Sequence, residues 1–340
     1  MPANLSPEYK SAEAAFRKAR DPRERLECLR EMLRTIPKHK GTEHLQADIK
    51  ARIKDLGEEL EGGSHKGGAR GGPALVIRPE GAAQVALLGA PNAGKSSLHA
   101  RLTGSGAHVA DYPFTTQYPE PGMMPHEDVS FQLVDLPAIS PEHAVPWLAG
   151  ALQAADAAIL AIDLGEPDCL EQVRRIEAIL AQKKITLTGR WPGGGSGDAE
   201  PGDEDPFAIR LPTLLLANKA DAIPGIAQEL QAFLELSGLR LPALAVSAAT
   251  GQGLGELGPW LFANLGIVRA YTKTPGHAPD KGRPYAIRNG QTVADVARLI
   301  HRDMGKSLRF ARVWGPSGYD GQHVGPDHAL ADGDVVELHS

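Results

Sequence analysis

"AQVALLGAPNAGKSSLHARL", residues 83–102, passes from an apolar run through a glycine-containing loop into a segment of helical spacing. Within it Gly89, Gly94, Lys95 and Ser96 satisfy G-x-x-x-x-G-K-[ST] in the strand–loop–helix setting that gives this pattern its meaning. Glycines let successive backbone N–H groups wrap a polyphosphate, and the following helix adds positive potential from its N-terminus. Lys95 can reach the β- and γ-phosphates, and the Ser96 hydroxyl can ligate Mg²⁺. The stretch therefore specifies a phosphate cradle on a buried strand. It does not specify the base.

Further apolar runs follow at "SFQLVDL" (130–136), "AAILAID" (157–163), "TLLLANK" (213–219) and "LPALAVSA" (241–248), separated by helix-compatible stretches. That alternation predicts an α/β P-loop domain over 83–266, a mostly parallel sheet with helices on both faces. Its rhythm is interrupted by "TGRWPGGGSGDAEPGDEDP" (188–206), whose Gly, Pro and acid content predicts a disordered surface loop with no site.

Upstream, residues 1–62 read as helical, with Ser6-Pro7 and Asp21-Pro22 as capped starts. Leu26, Leu29, Met32, Leu33 and Ile36 share one helical face, as do Leu45, Ile49, Ile53, Leu56 and Leu60 beyond the basic turn "PKHKGT". The expectation is a helical hairpin, either a packing module or a docking element for RNA or protein. A glycine-rich linker, 63–82, joins it to the P-loop domain. Downstream, residues 267–340 read as a small α+β domain: strand "PYAIRN", helix "TVADVARLIHRDM", strand "FARVWG" and final strand "GDVVELH".

The 340 residues are 42% hydrophobic and 23% charged, with a net charge of −6. Residues 1–62 carry +1, 267–340 carry +2, and the middle −9. This balance excludes a surface that grips nucleic acid everywhere, leaves a local basic face open, and gives no reason to expect DNA binding. Cys28 and Cys169 are far apart in different kinds of segment, which excludes a disulfide framework or zinc site and predicts a reducing compartment. The chain shows no apolar signal core and no run of membrane-spanning length, so a cytoplasmic protein is expected.

The base is addressed by "NKAD", 218–221, immediately after an apolar run. Guanine presents a ring N–H and an exocyclic amine side by side, and the Asp221 carboxylate can accept from both, whereas adenine lacks both donors at that edge. A charged hydrogen bond contributes about 1.5–3 kcal/mol, and an unpaired carboxylate adds a penalty against the wrong base. Asn218 would brace the site, and the stem of Lys219 can cover the purine face. In "VSAATGQG" the backbone of Ser247 and Ala248 is placed to meet the guanine carbonyl oxygen. Asp135, ending "QLVD", can hold the Mg²⁺ shell beside Ser96, and Thr115 and Thr116 in "DYPFTTQYPEPG" (111–122) are candidates to close over Mg²⁺ and the γ-phosphate.

In this order "GAPNAGKSS", "DYPFTT", "DLPA", "NKAD" and "SAA" resemble the Obg/DRG branch of GTPases, and specifically developmentally regulated GTP-binding (DRG) proteins. The helical "KGTEHLQADIKARIKDL", the glycine linker and a tail resembling a TGS domain, a ubiquitin-like β-grasp module, extend the likeness over nearly the whole chain. The resemblance implies GTP binding by Gly89, Ala90, Pro91, Asn92, Ala93, Gly94, Lys95, Ser96 and Ser97, then Phe114, Thr115 and Thr116. It adds Asp135, Leu136, Pro137 and Ala138, then Asn218, Lys219 and Asp221, and finally Ser247, Ala248 and Ala249. Ser96, Thr116 and Asp135 would hold the metal, and Lys95, Thr116 and Asn92 would serve catalysis. It also implies GTP hydrolysis and association with ribosomes or other RNA complexes through the TGS and helical regions.

Two departures stand out. The interval from Asp135 to Asn218 is short for the domain that DRG proteins usually insert there. Ala138 replaces the glycine that donates its N–H to the γ-phosphate and swings on exchange; alanine keeps the N–H but loses access to positive φ. Ile139 follows, where Ras-like enzymes orient water with glutamine, so intrinsic hydrolysis should be slow. Asn92 admits two readings, a loop residue suited to a tight turn or a ligand for a K⁺ ion as in related GTPases. Arg298, Arg302, Lys306, Arg309 and Arg312, with His301 among them, are either a solvated helix face or an RNA-phosphate surface; His323, His328 and His339 read as structural or surface residues. Two rival functions stay open: a GTP-binding scaffold that hardly hydrolyses, and a P-loop ATPase or small-molecule kinase.

Overall fold

Strands buried on both faces need no polar alternation, and β1 (Ala83–Gly89), β3 (Val129–Asp135) and β4 (Ala157–Asp163) have almost no exposed position. The computed structural model describes residues 5–19, 22–37, 40–62, 77–105, 118–141, 145, 147–194, 205 and 207–339. β1 pairs in parallel with β3 on one side and β4 on the other, and β4 pairs in parallel with β6 (Ile209–Asn218). With β2 (Glu120–His126), β5 (Ile185–Thr188) and β7 (Ala243–Ala245) the order is β2-β3-β1-β4-β6-β5, β7 pairing with β6. The register aligns the carboxyl ends of β1, β3, β4 and β6, so Gly89, Asp135, Asp163 and Asn218 lie along one sheet edge.

All four anticipated runs are strands. β2 and β5 were not anticipated, for a physical reason: β2 reads "EPGMMPH" and is an edge strand, antiparallel to β3 alone, where proline is tolerated because its missing N–H leaves no ladder bond unmade. Helices α4 (Lys95–Thr103), α5 (Leu148–Ala154), α6 (Cys169–Gln182), α7 (Ile226–Ser237) and α8 (Leu257–Asn264) cover the faces over two apolar clusters. The described part of the interval between Asp135 and Asn218 holds α5, β4, α6, β5 and β6.

The expected hairpin is α2 (Pro22–Thr35) and α3 (Glu43–Gly62), and a third helix, α1 (Pro7–Lys18), packs on α2. Ser6 Oγ accepts from Tyr9 N–H at 3.1 Å as the N-cap. The three helices enclose Tyr9, Phe16, Leu29, Met32 and Ile49, and their core takes in Phe207 from the P-loop domain. Phe207 meets Phe16 edge-on at 5.9 Å, with the Arg52 guanidinium 4.2 Å over its ring.

The expectation of a disordered loop over 188–206 is therefore corrected at both its ends. Trp191 is buried edge-on against Trp260, Gly193 N–H donates to Asn264 O at 2.7 Å, and Asp205 pairs with Lys184 at 2.8 Å; residues 195–204 and 206 lie outside the described residues. The linker also ends earlier than expected. Glu80 N–H donates to Gln132 Oε1, Ala82 N–H to Ser130 O, and Gln84 Nε2 to Ile77 O, so 77–82 pack onto the sheet. Residues 63–76 lie outside the described residues.

The C-terminal domain is a five-stranded mixed sheet in the order β11-β10-β12-β8-β9, with β8 (Ile267–Thr272), β9 (Asp280–Arg288), β10 (Phe310–Gly315), β11 (Gly318–Val324) and β12 (Asp334–His339). β8 and β11 were not anticipated. The single helix expected over 292–304 is two: α9 (Val293–Ile300), started by a Thr292/Asp295 capping box, and α10 (Arg302–Ser307), separated by an extended His301 at φ −159°. Among the described residues no helix is long and apolar enough to cross a membrane.

Candidate nucleotide-binding site

Glycine is required in the loop between β1 and α4 because a backbone carbonyl and a side-chain amide approach it closely. A Cβ on Gly89 would lie 2.5 Å from Ala161 O, and one on Gly94, whose φ is 82°, only 2.2 Å from Asn218 Nδ2. Lys95 is buried and donates to Ala90 O at 3.2 Å. Burial depresses its pKa, and the Asp135 carboxylate opposes that shift. Ser96 Oγ donates to Asp135 Oδ2 at 2.5 Å. A hydroxyl and a buried carboxylate thus converge beside the loop, an all-oxygen donor pair suited to a hard divalent cation.

The base-reading loop is tied to the phosphate loop through one side chain. Asn218, 1% exposed, donates from Nδ2 to Ala93 O at 3.1 Å and accepts at Oδ1 from Ala248 N–H at 3.1 Å. Ala220 N–H donates to Val246 O at 3.0 Å, tying the base-reading loop by backbone to the loop that carries Ala248. Asp221 stands exposed on the 3-10 turn Ala220–Ala222 and makes no hydrogen bond with other described residues, leaving its carboxylate available.

Lys219 adopts a left-handed φ of 59°, and its Nζ lies 2.6 Å from Asp163 Oδ2. Asp163 is 7% exposed and also accepts from Gly165 N–H at 2.9 Å. Sequence reasoning passed over this residue, although "AAILAID" ends in aspartate just as "QLVD" does.

One assignment changes. Ser247 N–H and Ala248 N–H, expected to face a guanine carbonyl, already donate to Gln252 O and Asn218 Oδ1, and Ser247 Oγ accepts from Thr250 N–H. These contacts rigidify the loop, in which Ala249 and Thr250 are exposed. Ala138 and Ile139 are 6% and 3% exposed; Ile139 belongs to the apolar cluster and its N–H donates to Gly89 O at 3.1 Å. Ala138 keeps φ outside the positive region, so alanine is unstrained here. Asn92 is exposed with φ 62°, which fits its reading as a turn residue. Phe114, Thr115 and Thr116 lie outside the described residues, but Glu120 pairs directly with Asp135, so the chain leaving that segment joins the sheet beside the candidate metal donors.

A family model described as a 50S ribosome-binding GTPase matches residues 84–189, and a TGS domain model matches 268–340. A GTP-binding protein of Halobacterium salinarum is 30% identical, the match covering 93% of this chain and 98% of the relative. Developmentally-regulated G-protein 2 of Arabidopsis thaliana is 27% identical over 91% of this chain and 88% of its own. Ribosome-interacting GTPase 1 of Saccharomyces cerevisiae is 25% identical over 93% and 98%.

Proposed function

Because the chain belongs to the DRG family of GTP-binding proteins, a P-loop GTPase domain followed by a TGS domain, we propose that it hydrolyses GTP as a switch read by a ribosome or RNA complex. The observation that carries this reading is Asn218, whose two hydrogen bonds hold the base loop and the phosphate loop in one frame with Asp221 exposed beside them. Asp221 selects guanine, the stem of Lys219 covers the purine face, and the amides of residues 90–96 grip the phosphates. Ser96 and Asp135 would hold Mg²⁺ together with Thr116; when bound, the ion offsets charge on the β- and γ-phosphates. Lys95 leaves the Ala90 carbonyl to meet the same phosphates. Transfer goes to water, driven by charge neutralisation and positioning rather than by a protein general base.

Ile139 is committed to the core, so no side chain at that position orients water and intrinsic turnover is slow. Asn92, exposed at the loop's crest, is the residue through which K⁺ would accelerate it. The second reading, a GTP-binding scaffold with negligible hydrolysis, is favoured by the same buried Ala138 and Ile139. Multiple-turnover phosphate release in K⁺ and Na⁺ separates the two: measurable turnover supports the enzyme, and equal rates in both salts discard the role of Asn92. Competition between GDP and ADP tests the base. Asp221→Asn is expected to lose guanine preference, and an unchanged preference would remove Asp221 from the site.

A further inference from the structure

The outer face of the C-terminal sheet carries a row of stacked rings. Phe310 on β10 lies between His323 on β11, with centroids 4.1 Å apart and planes at 22°, and His339 on β12, at 4.5 Å and 10°. Period-two alternation puts Phe310, Arg312 and Trp314 on this face while Ala311 and Val313 enter the core. Register places Arg312 directly across from both His323 and Glu337. The Lys273 ammonium sits 4.2 Å from the Trp314 ring centroid.

Charge on this face is not self-cancelling. Glu337, 5% exposed, is already engaged, accepting from His339 Nε2 at 2.9 Å with Lys273 at 3.7 Å. Arg312 is exposed and has no ion pair or hydrogen bond among the described residues. The helical side of the domain is different: the Arg298 guanidinium is taken up by Asp295 at 2.8 Å and Ala294 O at 3.1 Å. Of the basic residues read along and after that helix, Arg298 is therefore neutralised and the side chains of Arg302 and Lys306 lie outside the described residues, while Arg312 stands open on the sheet.

An aliphatic partner surface would call for exposed aliphatic side chains, and the apolar groups here are rings with cations beside them. His323 is exposed while its inner face is fixed by Phe310, so a π-face is presented with little conformational entropy left to lose. Ring platforms on a sheet with an adjacent guanidinium are the chemistry that recognises unpaired bases. The geometry points to this face as a platform for single-stranded RNA, a base stacking on the His323 end of the ladder while Arg312 meets the adjoining phosphate. This rests on the RNA association proposed above and names the surface and the part of the RNA it reads.

The test is fluorescence anisotropy of the full chain with three labelled probes of equal phosphate number: a single-stranded oligoribonucleotide, an abasic oligomer and an RNA duplex. The single strand is expected to bind about tenfold more tightly than the abasic oligomer. His323→Ala should remove that preference, His323→Phe should keep it, and Arg298→Ala should leave it unchanged. GDP affinity and the circular dichroism spectrum, measured on the same samples, should be wild-type throughout; the first certifies the P-loop domain and the second the C-terminal sheet. Equal binding of single-stranded and abasic probes, or an unaffected His323→Ala variant, overturns the platform while leaving RNA association standing. Binding of none of the three probes removes both.

Discussion

Lys95 is buried with one carbonyl among the described residues, that of Ala90, to accept from its ammonium, and burial lowers its pKa in the nucleotide-free protein. Phosphates would favour the charged form, so the pKa should rise on binding. Below the lowered value Lys95 is charged in both states and affinity is flat; between the two values binding takes up a proton, and affinity falls as pH rises. Calorimetry of GDP binding in buffers of different ionisation enthalpy should show this uptake on the alkaline side. Lys95→Arg should abolish it, while the loss that comes from titration of guanine itself persists. Asp163, through Lys219, would act at the base end of the nucleotide. Asp163→Asn removes the carboxylate that holds Lys219, and because the lysine is 43% exposed the expected loss is only about two- to fivefold for GDP and GTP alike. Inorganic triphosphate, which has no base to cover, should bind unchanged; an equal loss there would refute a base-side role. The convergence of Lys95, Ser96, Asp135 and Asn218 was legible at this scale because each motif residue has a local chemical duty. Asp163 was not, because its duty depends on a neighbouring strand.

Elements were legible where burial was uniform. "AAILAID" and "TLLLANK" have no alternative to a buried strand, whereas β2, with Pro121, Gly122 and Pro125, is a strand only because β3 lies beside it. The same limit explains the divided helix near His301: periodicity runs on through 292–304, but tertiary packing sets where it breaks. Phe207 is the clearest example, a lone aromatic after an acidic, glycine-rich stretch that becomes part of the helical core. Phe207→Ala deletes a side chain 2% exposed and leaves a cavity against Phe16 and Arg52. Deleting a buried phenylalanine costs about 3–5 kcal/mol. Hydrogen exchange should accelerate across α1–α3 while β1, β3 and GDP affinity stay as in the wild type. Unchanged protection of α1–α3 would mean that the helices hold together without this plug.

The arrangement of the whole molecule was not legible at all, since it depends on charges that meet from distant parts of the chain. The C-terminal domain docks at the amino ends of the parallel strands, away from the nucleotide edge. There Arg269 bonds Glu127 at 2.5 Å, Asp128 at 3.0 Å and Asp332 at 2.7 Å, Tyr271 donates to Asp128, and Arg288 pairs with Asp156 at 3.1 Å. Glu127 and Asp128 form the turn of the β2–β3 hairpin, whose other end pairs Glu120 with Asp135. One hairpin therefore spans from the candidate metal donor to the docked domain. Burial raises the Asp128 pKa, but hydrogen bonds from Tyr271 and Arg269 outweigh it, and the net shift is downward. A carboxylate lowered by docking supports docking fully above its undocked value, about 3.9, and loses that support as pH falls through the lower, docked value. The interface should accordingly hold at neutral pH and open only in strong acid. Asp128→Asn removes the charge at every pH, so energy transfer between labels on the two domains should drop at neutral pH. Added salt should deepen that loss by screening the remaining pairs of Arg269 with Glu127 and of Arg288 with Asp156. GDP affinity should be retained, because the nucleotide edge lies at the far end of the strands. Efficiency equal to wild type at low and high salt would show that the domains are held by apolar packing, with the Arg269 cluster a bystander.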